Sequence, residues 1–141
     1  MNYIGNSNSS KQKYLYFRTE ATDGDDDATG DSALFPASSL MGMQPTSDTA
    51  LTLYFKSMLR GPGNEGAGDA LVNLDNNDSV VLTISANTHL AAMRAIVEVI
   101  NNDNSSAFVV VANDDSGGTE YLADSGISAC GAISVAVAYA N

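Results

Sequence analysis

The stretch DSVVLTISANTHLAAMRAIVEVINNDN, residues 78–104, changes period in its middle, and that change decides the fold class. Over residues 78–85 the side chains alternate, Leu82 and Ile84 against Val81 and Thr83, which is the two-residue repeat of a strand. From residue 89 the repeat lengthens. Leu90, Met93, Val97 and Ile100 recur at helical spacing and are expected to form the buried stripe, with Arg94 and Glu98 facing outward one turn apart. Asn87 or Thr88 stands where a side-chain oxygen accepts from the exposed N–H groups of a first helical turn. The polar run Asn101-Asn102-Asp103-Asn104 ends the helix.

Outward from this helix the chain reads as strands and turns. Residues 107–112 are apolar on both faces, as expected of a central strand covered by helix on one side and sheet on the other. Residues 130–139 put Ile133, Val135, Val137 and Tyr139 on one face and Ser134, Ala136 and Ala138 on the other, a small-residue face that lets the helix or a second subunit approach closely. Towards the N-terminus, residues 50–58 alternate Leu51, Leu53 and Phe55 with Thr52, Tyr54 and Lys56. Residues 14–19 send Leu15 and Phe17 one way and Tyr14, Tyr16 and Arg18 the other, and this second, aromatic and half-polar face suits an interface. Pro36, which cannot donate to a ladder, makes residues 33–40 an edge strand or an extended connection.

The sum is an α+β fold, a largely antiparallel or mixed β-sheet packed on one principal α-helix. A right-handed βαβ crossover from Val80 through the helix to Val111 is the alternative connection. Residues 1–12, rich in Asn and Ser, form a flexible N-terminal arm, and residues 13–141 form a single α+β domain without internal repeat or linker.

Composition bounds the function. A chain of 141 residues typically buries about 68 to 70% of its unfolded surface, enough for a core without staples. A net charge of −11, from 17 acids and 6 bases, opposes nucleic-acid backbones and anionic membrane surfaces. The single Cys130 admits no intrachain disulfide and no CxxC pair, which fits a reducing compartment. The first residues lack a basic region and an apolar core, so no secretory signal peptide is expected, and no apolar run is long enough to span a bilayer.

Five motifs carry candidate chemistry. In the acidic block at residues 23–31, Asp23, Asp25, Asp27 and Asp31 take the first, third, fifth and ninth positions of a calcium loop. Ala28 stands where the turn glycine belongs and Leu34 where a closing Glu should be, so calcium binding competes with a plain solvated turn. Gly61, Gly63 and Gly66 match a dinucleotide fingerprint, but Glu65 and Asp69 would face the phosphates and no adequate helix follows. His89, the only histidine, reads as a capping-region or surface residue, since no spacing supplies a nucleophile and an orienting acid. Cys130, without a basic neighbour in sequence, reads as a small buried filler. Paired carboxylates, Asp114-Asp115 or Asp25-Asp26-Asp27, offer the acid–base chemistry of a glycosidase only if a cleft raises one pKa, and their Gly- and Asn-rich turns argue for hydrated acids.

The series YLYFRTEAT at residues 14–22, the run Asp25-Asp26-Asp27, the segment DSALFPASSL at residues 31–40 and Tyr54-Phe55-Lys56-Ser57 together resemble small, mostly uncharacterised proteins encoded by tailed phages of marine cyanobacteria, some of them considered virion structural proteins. The resemblance covers the first sixty residues or so and the strand–helix–strand layout after Asp78, and it includes no catalytic motif. It implies a non-enzymatic head or decoration-type subunit of a phage particle, made in the host cytoplasm. Such a subunit assembles as a homo-oligomer, and with other virion proteins, through an interface of Tyr14, Tyr16 and Tyr54 or through the small-residue face of the last strand. A calcium-binding module on residues 23–31 is the alternative, and a hydrolase using acids in a cleft the third reading.

Overall fold

A computed structural model describes residues 12–58 and 77–135. All but Gln12 of the expected arm at residues 1–12, the glycine-rich motif of Gly61, Gly63 and Gly66, and the end of the last expected strand lie outside the described residues.

The fold is α+β, with one principal helix and, among the described residues, two sheets rather than one. The first sheet contains β1 (Tyr14–Arg18), β2 (Ser32–Pro36), β6 (Phe108–Asn113) and β7 (Glu120–Tyr121) in the order β2-β1-β6-β7. The second contains β3 (Leu40–Ser47), β4 (Ala50–Lys56), β5 (Asn77–Ile84) and β8 (Ile127–Ser134) in the order β3-β4-β5-β8. All pairings are antiparallel except β1 with β6. Helix α1 (His89–Asn101) leaves β5 of the second sheet and delivers the chain to β6 of the first, so the alternative connection, a βαβ crossover within one sheet, does not form.

The inner faces meet because alternation turns every second side chain inward. Leu15 and Phe17 of β1, Phe35 of β2, Leu51, Leu53 and Phe55 of β4, and Val80 and Leu82 of β5 are fully buried in one core cluster. Its centre is three rings: Phe35 stacks on Phe55 with centroids 4.2 Å apart, and Phe17 meets both edge-on at 6.1 and 5.9 Å. Burying each such side chain contributes about 1.5–3 kcal/mol.

The helix turns a different stripe inward from the one expected. Ala92 and Ile96 are buried, flanked by Met93, Val99 and Ile100, while Leu90 and Val97 stay 66% and 44% exposed. The small Ala92 lets the helix axis sit close to the sheets, and that rotates Leu90 and Val97 into water. Neither expected cap forms. Thr88 occupies the N-cap position, but its hydroxyl donates to the Ser85 carbonyl at 2.7 Å, and Asn87 adopts a left-handed φ of 65°.

The C-terminal end is held by a residue that the sequence reading passes over. Lys13, 4% exposed, sends its ammonium to the carbonyls of Val99, at 3.1 Å, and Asn102, and to the Ser105 hydroxyl. A cation among the last helical carbonyls is favoured by the helix dipole and satisfies acceptors that have no partner within the helix.

β8 starts at Ile127 rather than Cys130, and its pairing with β5 slips between Val80 and Leu82, where Gly131 lies against Val81. A Cβ on Gly131 would sit 2.8 Å from the Val81 carbonyl oxygen, so the bulge requires glycine. The close neighbour of this small residue is thus the adjacent strand of its own sheet. β6 is interior to its sheet, as expected, and Val109, Val111 and Ala112 are buried, but Phe108 is 50% exposed. β2 is an edge strand, as Pro36 foretold.

Candidate functional site

The outer face of the first sheet is built by β1 and its two neighbours. Period-two alternation aims Tyr14, Tyr16 and Arg18 away from the core, and register sets Pro36 and Leu34 of β2 and Phe108 and Val110 of β6 beside the two tyrosines. The Tyr16 and Phe108 rings lie 5.3 Å apart and tilted by 33°. Tyr14, Leu34 and Phe108 are 39%, 42% and 50% exposed, so the face is a continuous apolar patch open to solvent. Tyr54 lies elsewhere. Leu51, Leu53 and Phe55 of its strand point into the core, so Tyr54 belongs to the outer face of the second sheet, and the three tyrosines do not share one surface.

One end of the patch is closed by charge. Arg18, 5% exposed, pairs with Asp26 at 3.0 Å and Asp115 at 3.6 Å, and donates to the carbonyls of Glu20 and Thr22, both at 2.8 Å. Burial alone would lower its pKa, but Asp115 and Asp26 outweigh that and hold the guanidinium above its ordinary value. Arg18 thereby pins two loops, residues 19–31 and 114–119, over the end of β1. The Thr22 N–H donates to the Glu20 carboxylate at 2.7 Å, a bond that holds this carboxyl below its usual range.

Within the acidic loop the four template positions part company. Asp31 accepts from the Ala28 N–H at 2.9 Å, and its carbonyl receives the Thr19 and Glu20 N–H groups. Asp23 lies beside Gly117, next to Asp115. Asp25 donates its N–H to the Thr22 carbonyl, in a turn where Gly24 takes a φ of 77°. The acids that meet the buried cation are Asp26 and Asp115, neither of them a template position. Among the described residues no three acid, histidine or cysteine side chains converge as metal ligands do.

The remaining candidates serve as ties between elements. His89 Nε2 lies 2.8 Å from the Ser47 carbonyl and 3.2 Å from that of Ala50; both partners are acceptors, so this nitrogen carries the proton and staples the helix start to the β3–β4 turn. Asp114 accepts the Tyr121 hydroxyl at 2.5 Å and takes the Cys130 N–H on both oxygens, at 3.1 and 3.0 Å. The Thr19 hydroxyl donates to the Cys130 carbonyl at 2.9 Å, so loop residues of the first sheet satisfy the outer edge of β8. Burial, then the nearby Asp114 charge, pushes the Cys130 thiol up to about 12, leaving it protonated and unreactive at neutral pH. Burial, then its bond to Asp114, raises Tyr121 to about 12 as well. Asp115 accepts the Gly117 N–H besides pairing with Arg18, so the Asp114-Asp115 pair is spent on structure.

Two of these roles had a trace in the sequence. Arg18 is the one base in the stretch from residue 14 to residue 31, and Lys13 immediately precedes an apolar strand, where an unpaired charge is costly. Their partners are brought by tertiary structure, Ser105 to Lys13 and Asp115 to Arg18.

No helix among the described residues is long and apolar enough to cross a membrane. No family model, curated protein or solved structure matches this chain.

Proposed function

We propose that this chain is a non-enzymatic structural protein of a phage particle, a head or decoration-type subunit that acts by assembling with copies of itself through the outer face of its first sheet. The observation that carries the reading is the open apolar patch of Tyr14, Leu34 and Phe108, on a chain whose −11 charge otherwise keeps it apart from its copies. Polar groups that offered reactive chemistry in the sequence are engaged as clamps: His89 on carbonyls, Asp114 on Tyr121 and Cys130, Asp115 on Arg18. The phage assignment itself draws on the resemblance of residues 14–40, and the virion is its corresponding location. Detection of the chain in purified particles by mass spectrometry tests that assignment. Light scattering tests the assembly: Tyr16→Asp is expected to reduce the oligomer to the monomer mass, and an unchanged mass would remove this face from the reading.

A further inference from the structure

Among the described residues the two sheets end in four edge strands, β2 and β7 in the first and β3 and β8 in the second. Three of these edges are visibly protected. β7 is two residues long and carries Glu120, β2 is five residues long and ends at Pro36, and Cys130 of β8 has its N–H on Asp114 and its carbonyl on the Thr19 hydroxyl. β3 is different. It is eight residues long with six of them exposed, and it lies within the run from Ala33 to Ser47, which contains no charged residue. A long uncharged edge is a template for another strand, and on a chain of charge −11 it is a stretch that two copies can bring together without setting like charges side by side.

We infer that Pro45 guards this edge, blocking strand addition between the β3 strands of two copies. Register slips between Leu40 and Gly42 and between Pro45 and Ser47 leave Gly42 to Pro45 as the regular part of the ladder with β4. Pro45 lies opposite Leu51 but has no N–H to donate, so its nitrogen faces away from β4. Alternation then turns the N–H and carbonyl of Met43 outward too, while those of Gly42 and Gln44 face Thr52 and Tyr54. The outer edge of this segment therefore offers the carbonyls of Met43 and Pro45 but the N–H of Met43 alone. Two β3 strands meeting antiparallel about a two-fold axis at Gln44 would set each Met43 opposite a Pro45. Such a pair exchanges two hydrogen bonds in an ordinary ladder. The proline removes one of them and places its ring where the incoming carbonyl would lie. By symmetry the other pair suffers the same loss, so half of the bonds of the joint are missing. Past the second slip His89 already holds the Ser47 carbonyl, so the strand has no further free stretch to offer. The inference stands apart from the patch on the first sheet and holds whether or not that patch assembles.

The test is made on the full chain carrying Tyr16→Asp, so that the first-sheet patch does not contribute, with mass followed by sedimentation velocity and amide exchange by mass spectrometry. Pro45→Ala restores the donor with little else, and Pro45→Val restores it with a residue that favours strands. Thermal melting confirms that both fold. Both are expected to double the mass of the parent at high concentration, Pro45→Val at the lower concentration of the two, and to slow exchange of the Met43 amide. In the parent that amide is expected to exchange faster than those of Gly42 and Gln44. If neither variant gains mass, the guard is overturned. Association of Pro45→Val alone would overturn it as well, since added apolar surface and not the restored donor would then be the cause. A Met43 amide in the parent as protected as its two neighbours would refute the outward geometry. Failure of the assembly reading would show elsewhere, as a wild type that is monomeric where an oligomer is expected, and would leave these outcomes unchanged.

Discussion

The two sheets share one construction and finish differently. In both, alternation buries every second side chain in the same ring-centred core. On the first sheet the outward positions are Tyr14, Tyr16, Leu34 and Phe108. On the second they are chiefly Gln44, Ser79 and Thr83, with Val81 and Tyr54 half-buried among them and the buried Thr52 bonding its hydroxyl to that of Thr46 at 2.9 Å. An outer face of hydroxyls and amides is satisfied by water and by its neighbours, whereas one of rings and leucine keeps apolar surface still to bury. A fold with one face of each kind points at its own interface.

The largest effect should come where the sheets are alike. Phe35→Ala and Phe55→Ala each remove one member of the 4.2 Å ring stack and are expected to lower stability by about 3–5 kcal/mol, read as a shift in the urea midpoint. A cost below about 1 kcal/mol at either would mean that the two inner faces do not share one core. Next comes the seam between the sheets. Cys130 and Tyr121 both titrate near 12 in the folded chain, against ordinary values of 9.0 and 10.0, so the folded state holds these protons more tightly than the unfolded one. Their contribution is complete below about pH 9 and is lost as pH climbs towards 12. Cys130→Ala should flatten the fall in melting temperature between pH 9 and 12, and an unaltered slope would acquit the thiol.

Gly131→Ala tests the bulge beside that seam. Its Cβ would meet the Val81 carbonyl at 2.8 Å, so β5 and β8 must part or shift, at a cost of about 1–3 kcal/mol in the same denaturant measurement. Loss of less than a few tenths of a kcal/mol would show that the strand can slide.

What the sequence reveals and conceals follows from the range of the interactions. β1, β4, β5 and the existence of the helix are legible because period is a local property. β3 is hidden by Gly42 and Pro45, which are tolerable only because β3 is an edge strand with largely exposed side chains. β7 is too short at two residues to show a period. The helix exists where expected, but its rotation does not follow from ranking side chains by size: Ala92 is chosen for the core because it is small, and Leu90 is left out. That miss conceals an exposed surface, since residues assigned to the core are not sought outside it. The aromatic face was readable in β1 alone, but Leu34 and Phe108, which complete it, required the register to β2 and β6. Arg18 reads from the sequence only as part of the outward, half-polar face, because nothing local shows that residues 115 and 26 fold over it.

The finest test separates the two outer faces themselves. Tyr16→Asp and Tyr54→Asp make the same chemical change at outward positions of interior strands, and each removes an aromatic that fits a pleated, half-covered surface. Neither empties the core, so each should cost the monomer about 1 kcal/mol or less, with Tyr16 slightly the more sensitive because its ring rests on Phe108. In stability, then, the pair should be nearly indistinguishable. In assembly they should differ completely: Tyr54→Asp adds a charge to a face made mainly of hydroxyls and amides and leaves the scattering mass unchanged, while Tyr16→Asp puts a carboxylate in the middle of the patch of Tyr14, Leu34 and Phe108. Equal loss of mass in both would mean that chain charge, not the sheet patch, governs association, and the same experiment repeated in high salt, where a Debye length near 3 Å screens exposed charges, would then rescue both.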